Sequence, residues 1–201
     1  MARIKMFGVC ALALVLCAGY AAAATTTPPP DTLKVDYFAN ANVYGYDATV
    51  RVINPGTAGG DLCADIYVFD TYQELSECCS CLISPDGVLT LSVYYDLTDN
   101  PLTDVYPSTG VIKIVSSAPK TGGVCLFAST LTPTAGLRAW ATHLQTNFIT
   151  TETASQDATL SNAEVSRLQN ECYGIQLDGS TSGVCTCGVG EEAAASVKPA
   201  N

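Results

Sequence analysis

From Leu33 onward, short apolar runs alternate with Gly, Pro, Asn and Asp. Tyr46, Ala48, Val50 and Val52 fall on one face of an extended segment, with Thr49 and Arg51 on the other. Leu89, Leu91, Val93 and Tyr95 alternate in the same way with Thr90 and Ser92, and Ile112 and Ile114 flank Lys113. A period of two with one apolar face is the pattern of half-buried antiparallel strands. The spacing predicts strands over 33–38, 44–53, 62–70, 87–96, 109–116, 124–130 and 136–145. Asn54-Pro55-Gly56, Pro85-Asp86-Gly87, Asp99-Asn100-Pro101 and Gly122-Gly123 supply the turns, since these residue types suit tight or positive-φ geometry. The fold class is therefore mainly β: a single antiparallel β-sandwich, immunoglobulin-like or jelly-roll. The Cys-Trp-Cys order of true immunoglobulin domains is absent, because the sole Trp140 follows Cys125.

Near the end the period lengthens. Ser161-Asn162-Ala163-Glu164 forms a capping box, and Val165, Leu168, Cys172 and Ile175 share one helical face. One helix is expected over about 161–177, with Cys172 on its buried stripe and so placed to fasten it to the sheet. Residues 189–201 lack periodicity and read as a flexible tail.

The first residues have a different character. Arg3 and Lys5 precede an uncharged apolar run, Met6 to Ala18, and then Ala21 to Ala24. That is a signal peptide over 1–24, cleaved after Ala22 or Ala24, and its run is short of the roughly 20 apolar residues of a membrane span. A lipoprotein anchored through Cys17 is the rival reading, but Leu14-Val15-Leu16 lacks the small residue expected before a lipidated cysteine. Thr25 to Pro30 begins a Pro/Thr-rich leader over 25–32, an extended spacer. The remaining domain, 33–188, suits one folding unit.

Charge narrows the partners. The chain has 9 Lys and Arg against 19 Asp and Glu. Loss of Arg3 and Lys5 leaves seven against nineteen, a mature charge of −12. Nucleic acid and anionic membrane are poor partners for such a surface, and membrane insertion is not expected.

Ten cysteines are present, of which Cys10 and Cys17 leave with the signal. The remaining eight, Cys63, Cys78, Cys79, Cys81, Cys125, Cys172, Cys185 and Cys187, read as four disulfides of an exported protein, extracellular, surface-bound or periplasmic. Adjacent Cys78 and Cys79 are poor partners for each other, because a trans peptide holds their Cα atoms about 3.8 Å apart and bridges prefer roughly 5.5–6 Å. We expect the Cys78 to Cys81 cluster to tie the sheet to Cys63, Cys125 and the terminal Cys185-Thr186-Cys187, although eight cysteines allow 105 pairings. A thiolate cluster for Zn²⁺ or Cu⁺ is the alternative.

No residue set carries a catalytic signature. His143 is the only histidine and has no Gly-x-Ser-x-Gly elbow to serve, so it is expected as an outward-facing strand residue rather than a triad member. Asp96, Asp99, Asn100 and Asp104 gather hard oxygen ligands in one turn-rich stretch, so calcium is the candidate metal, beside the reading of solvated turn residues. No other cofactor is expected, and the same aspartates are a weaker match to a glycosidase acid pair. Tyr37, Tyr44, Tyr46, Tyr94, Tyr95, Tyr106 and Trp140 are either a sugar-binding platform or ordinary strand residues.

The segment Lys34 to Asp70, with Gln73 to Cys81, Ser84-Pro85-Asp86-Gly87 and Gly183-Val184-Cys185-Thr186-Cys187-Gly188, resembles a group of uncharacterised secreted bacterial proteins that have a CCxC cluster and a C-terminal CxC. The resemblance implies no activity. The leading expectation is a non-enzymatic structural or interaction protein whose partner is itself or another surface protein. It would be a fibre subunit in which residues 31–38 complete a neighbour's sheet. An extracellular module for carbohydrate or calcium is the second, and a secreted hydrolase the third.

Overall fold

The computed structural model describes residues 28–39, 41, 47–145 and 150–188. The expected signal peptide and tail, and the first three residues of the leader, lie outside them. Nine strands and one helix follow in order: β1 Leu33–Phe38, β2 Thr49–Ile53, β3 Leu62–Phe69, β4 Leu75–Ile83, β5 Val88–Ser92, β6 Gly110–Ser117, β7 Arg138–Leu144, β8 Thr150–Ala154, β9 Gln156–Ala158 and α1 Asn162–Asp178. They form two antiparallel sheets, ordered β4-β3-β6-β1-β9 and β5-β2-β7-β8. This is the disulfide-stabilised sandwich with a C-terminal helix that the alternation predicts.

Alternation decides the core. Val50, Val52, Leu89, Leu91, Ala139 and Ala141 of the four-stranded sheet meet Leu62, Ala64, Ile66, Val68, Ile112 and Ile114 of the five-stranded one. β3 is buried along its whole length, because the outer face of its sheet is covered as well. There Tyr67, Phe69, Cys78 and Val115 pack against Leu168, Cys172 and Ile175 of α1 and against Ala128 and Leu131. Ser161 caps α1 by accepting from the Glu164 amide, and Gly179 ends it in the left-handed region at φ 68°, as a capping box and a C′ glycine do.

Gly110 is demanded by close approach rather than by φ. A Cβ there would lie 2.1 Å from the Phe69 carbonyl oxygen and 2.8 Å from the Phe38 ring. Gly110→Ala must displace β6 from β3 or β1, so a urea melt is expected to show a loss of about 2–3 kcal/mol, in the range of core overpacking.

The disulfides are Cys63–Cys125, Cys78–Cys172, Cys79–Cys185 and Cys81–Cys187. Cys78 fastens the helix, and Cys78 and Cys79 reach different partners. Cys63 and Cys125 are corrected: they bond each other and not the Cys78 to Cys81 cluster. Cys63 sits at the Ser117 end of β3, beneath the 118–137 connection, whereas the cluster faces the chain terminus. The terminal segment runs parallel to β4, with the Cys78 amide on the Gly183 carbonyl and the Cys185 amide on the Cys78 carbonyl. Alternate cysteines on two parallel strands therefore match as Cys79–Cys185 and Cys81–Cys187.

Several expected strands change. The segment 124–130 is no strand. It belongs to the long connection between β6 and β7, where Gly122 and Gly123 at positive φ turn the chain and Val124 bridges back to Lys120. The expected strand 87–96 stops at Ser92, because the Asp96 carboxylate accepts the Ser92 amide and the Ser92 hydroxyl accepts the Tyr95 amide, winding Val93–Leu97 into a π-helical turn. In the expected strand 44–53, Asp47 instead accepts amides from Ala48 and Tyr94, and Tyr44 and Tyr46 lie outside the described residues. β4, β8 and β9 are additional.

Candidate interaction site

β1 joins the pieces that carry chemistry. In hydrogen-bond order β1, the first strand of the chain, lies between β6 and β9 of the five-stranded sheet. β1 pairs with β6 over six residues, Leu33↔Val115 to Phe38↔Gly110. On its other side only Leu33, Lys34 and Val35 pair, with Ala158, Asp157 and Gln156 of β9.

Pairing stops at Val35 because the chain changes sheets there. β8 belongs to the four-stranded sheet and β9 to the five-stranded one, with Ser155 at the crossing. The Ser155 amide donates to the Ala139 carbonyl and its hydroxyl to Asp36, 2.7 Å away. The Tyr37 amide, left without a strand partner, donates to the neighbouring Asp36 carboxylate at 2.9 Å.

Lys34 is 2% exposed and lies against the carboxylates of Asp31 and Asp157. Arg138 also contacts Asp31. Burial works against the Asp31 charge, but hydrogen bonds from Lys34 and Arg138 outweigh it and hold the carboxyl below its usual range. The leader is thus anchored at its last residues: Thr32 is buried, and its carbonyl accepts the Ser116 amide.

His143 is corrected: it is 3% exposed and points between the sheets. Its strand alternates, so it shares the inward face with Ala139 and Ala141. Nε2 lies 3.0 Å from the Thr153 hydroxyl and 3.4 Å from Asp36, and buried Nδ1 has no hydrogen-bond partner among the described residues. A triad relay needs one contact on each ring nitrogen, whereas both contacts here fall on Nε2. The Tyr37 ring stacks on this imidazole with centroids 4.2 Å apart.

The expected aromatic platform is divided. Tyr37 lies at this edge, Tyr94, Tyr95 and Tyr106 at the end of the sandwich where β5 stops, and Trp140 opposite Arg51 and Ala154 on the outer face of the four-stranded sheet. Asp96, Asp99 and Asp104 belong to the β5 end, among exposed Tyr72, Tyr95, Leu102, Val105 and Tyr106. The Asp96 carboxylate is occupied by the Ser92 amide and the Thr186 hydroxyl. Asp104 turns the chain at φ 56°. Among the described residues no group of three or more His, Cys, Asp or Glu is placed to hold a metal ion.

Two buried acids escaped the sequence reading because each lies in an apolar strand. Asp65 accepts hydroxyls from Ser80 and Ser117, and burial pushes it up to about 6. Glu77 accepts the Asn100 amide at 2.8 Å, and burial pushes it up to about 7, with Asp99 adding to the shift. Comparisons with protein-family models, with curated proteins and with solved structures found no match for this chain.

Proposed function

We propose that this is a secreted, non-enzymatic structural protein that assembles by exchanging β1 between copies. The position of β1 carries the reading. It is the first strand, follows a Pro/Thr-rich leader, lies beside β6 and contains no cysteine. All four bridges bind β3, β4, the 118–137 connection, α1 and the terminal segment to one another. Withdrawal of β1 would leave a stapled body with an open groove between β6 and β9, which is how strand addition accepts an extended segment from a neighbour. The expectation that residues 31–38 complete a neighbour's sheet is refined, since within one copy Leu33–Phe38 complete their own sheet and assembly is an exchange.

Geometry permits it. Residues 39–48 link β1 to β2, and ten residues reach at most about 33–36 Å, enough to join adjacent copies. Four disulfides fit an oxidising compartment, and no helix among the described residues is long and apolar enough to cross a membrane. The mature sequence carries no paired catalytic groups.

Val35 and Gln156 lie directly opposite across β1 and β9, which supplies the test. Val35→Cys protein is refolded together with Gln156→Cys protein and run without reductant. Cross-linked heterodimers are expected, with a Val35→Cys and Val88→Cys mixture giving none. Monomers only, with no polymer by electron microscopy, would reject exchange. β1 ends at Phe38 and β2 begins at Thr49, opposite Ser92, at the acidic β5 end, where the connections 70–74 and 93–109 contain no Lys or Arg. Exchange brings two such ends together, so polymer yield is expected to rise from 0.01 M to about 1 M salt as the Debye length shrinks from about 30 to 3 Å.

A further inference from the structure

We infer that the cleft at the sheet crossing is a binding site for a neutral saccharide, with Tyr37 as its stacking platform. This stands apart from strand exchange and rests on different observations. The cleft, about 340 Å³, lies where β9 leaves β1, and Val35, Tyr37, Val111, Thr153, Ala154 and Gln156 line it together with Asp36. That volume is at the lower end of small-molecule clefts, roughly 300–1,000 Å³, and suits a small ring-shaped ligand.

Tyr37 is built differently from an ordinary surface tyrosine. It is 51% exposed, yet one face of its ring lies on the His143 imidazole at 4.2 Å and an interplanar angle of 17°. His143 is itself fixed by Thr153 and by its place between the sheets. A ring immobilised on one face presents the other without the entropy cost of ordering on binding. Aromatic rings favour stacked apolar partners, and the C–H face of a pyranose is one.

The chemistry of the lining selects among ligands. No Lys or Arg lines the cleft, and the chain has a net charge of −10 even with Arg3 and Lys5 counted, so an anionic glycan is disfavoured. Both Asp36 oxygens are engaged, one by the Tyr37 amide and one by the Ser155 hydroxyl, so the carboxylate does not call for a cation. At the rim the Thr153 hydroxyl shares one hydrogen bond with His143 and the Gln156 amide nitrogen donates to the Ala154 carbonyl at 3.4 Å, and the remaining capacity of these neutral groups matches sugar hydroxyls.

The test uses the mature protein on an array of neutral oligosaccharides, followed by calorimetry with the best-bound one. Binding is expected, about tenfold weaker in Tyr37→Ala and retained in Tyr37→Phe, with Gln156→Ala weakened about threefold. Trp140→Ala, on the outer face of the other sheet, should bind as the parent does. Thermal melts of every variant separate lost binding from lost fold. An array without signal, binding untouched by Tyr37→Ala, or binding of a proline-rich peptide in place of sugars would overturn the inference. Because β1 cross-linking plays no part in this readout, either proposal can fail alone.

Discussion

Removing the Cys79–Cys185 bridge by a double serine replacement is expected to cost only about 2 kcal/mol, although its cysteines are 106 residues apart. Loop-closure entropy for such a span would suggest about 4.8 kcal/mol for each of two such bridges. Three bridges, however, leave the same short stretch, Cys78 to Cys81. Once Cys78–Cys172 has closed the long loop, Cys79–Cys185 closes only the chain from Cys172 to Cys185, and Cys81–Cys187 a ring of two tripeptides. On chain entropy alone, the losses are about 2 kcal/mol for Cys79–Cys185 or Cys81–Cys187 and about 3 for Cys78–Cys172, but about 10 for all three. The last figure matches the whole stability of an ordinary domain, about 5–15 kcal/mol. Urea unfolding of the three paired-serine variants and of the sixfold variant measures this. Additive losses would show that the bridges act through native contacts and not through the unfolded chain.

Acidification from pH 7.5 to about 5 is expected to stabilise the protein, the reverse of the usual acid response. Asp65 and Glu77 have folded pKa values raised to about 6 and about 7, so the folded state holds protons that the unfolded state has lost between about pH 4 and 7. Stability then falls as pH rises through that window. At 1.36 kcal/mol per unit, each acid costs on the order of 3 kcal/mol once both states are ionised. Glu164 works in the opposite sense: Arg167 and Lys113 hold it down to about 2, so its contribution, full above about pH 4.5, is lost as pH falls toward 2. The optimum is therefore near pH 4–5. Melts from pH 3 to 8 should show it, Asp65→Asn should flatten the slope between pH 4 and 6, and Glu77→Gln that between pH 5 and 7. A parent profile that rises steadily from pH 4 to 7 would refute the assignment.

Both predictions turn on β3 and β4, and of the two β4 is the one illegible in sequence. β4 carries Glu77, Cys78, Cys79, Ser80 and Cys81, and neither Cys nor Ser supplies the apolar alternation that marks a strand. The residues are buried because α1 covers one face and the opposite sheet the other. β8 and β9 were missed for the contrary reason: an exposed edge has no face to bury, so Thr150 to Ala154 shows no period at all. His143 was misplaced because a lone polar residue in an alternating strand takes its face from register, and register depended on where β7 begins.

What sequence alone determined follows from local physics. Period two in β2, β5 and β6, the capping box at Ser161 and the apolar stripe through Cys172 depend only on near neighbours, and they specified a sandwich closed by a helix. The even cysteine count specified an oxidising compartment. Tertiary structure decided the rest, because it depends on residues far apart in the chain. Cys63 found Cys125 and not the cluster because strand order placed them together. Tyr37 met His143 because β9 stops at Val35. β1 lies beside β6 because Leu33 to Phe38 find their partners in Val115 to Gly110, far along the chain.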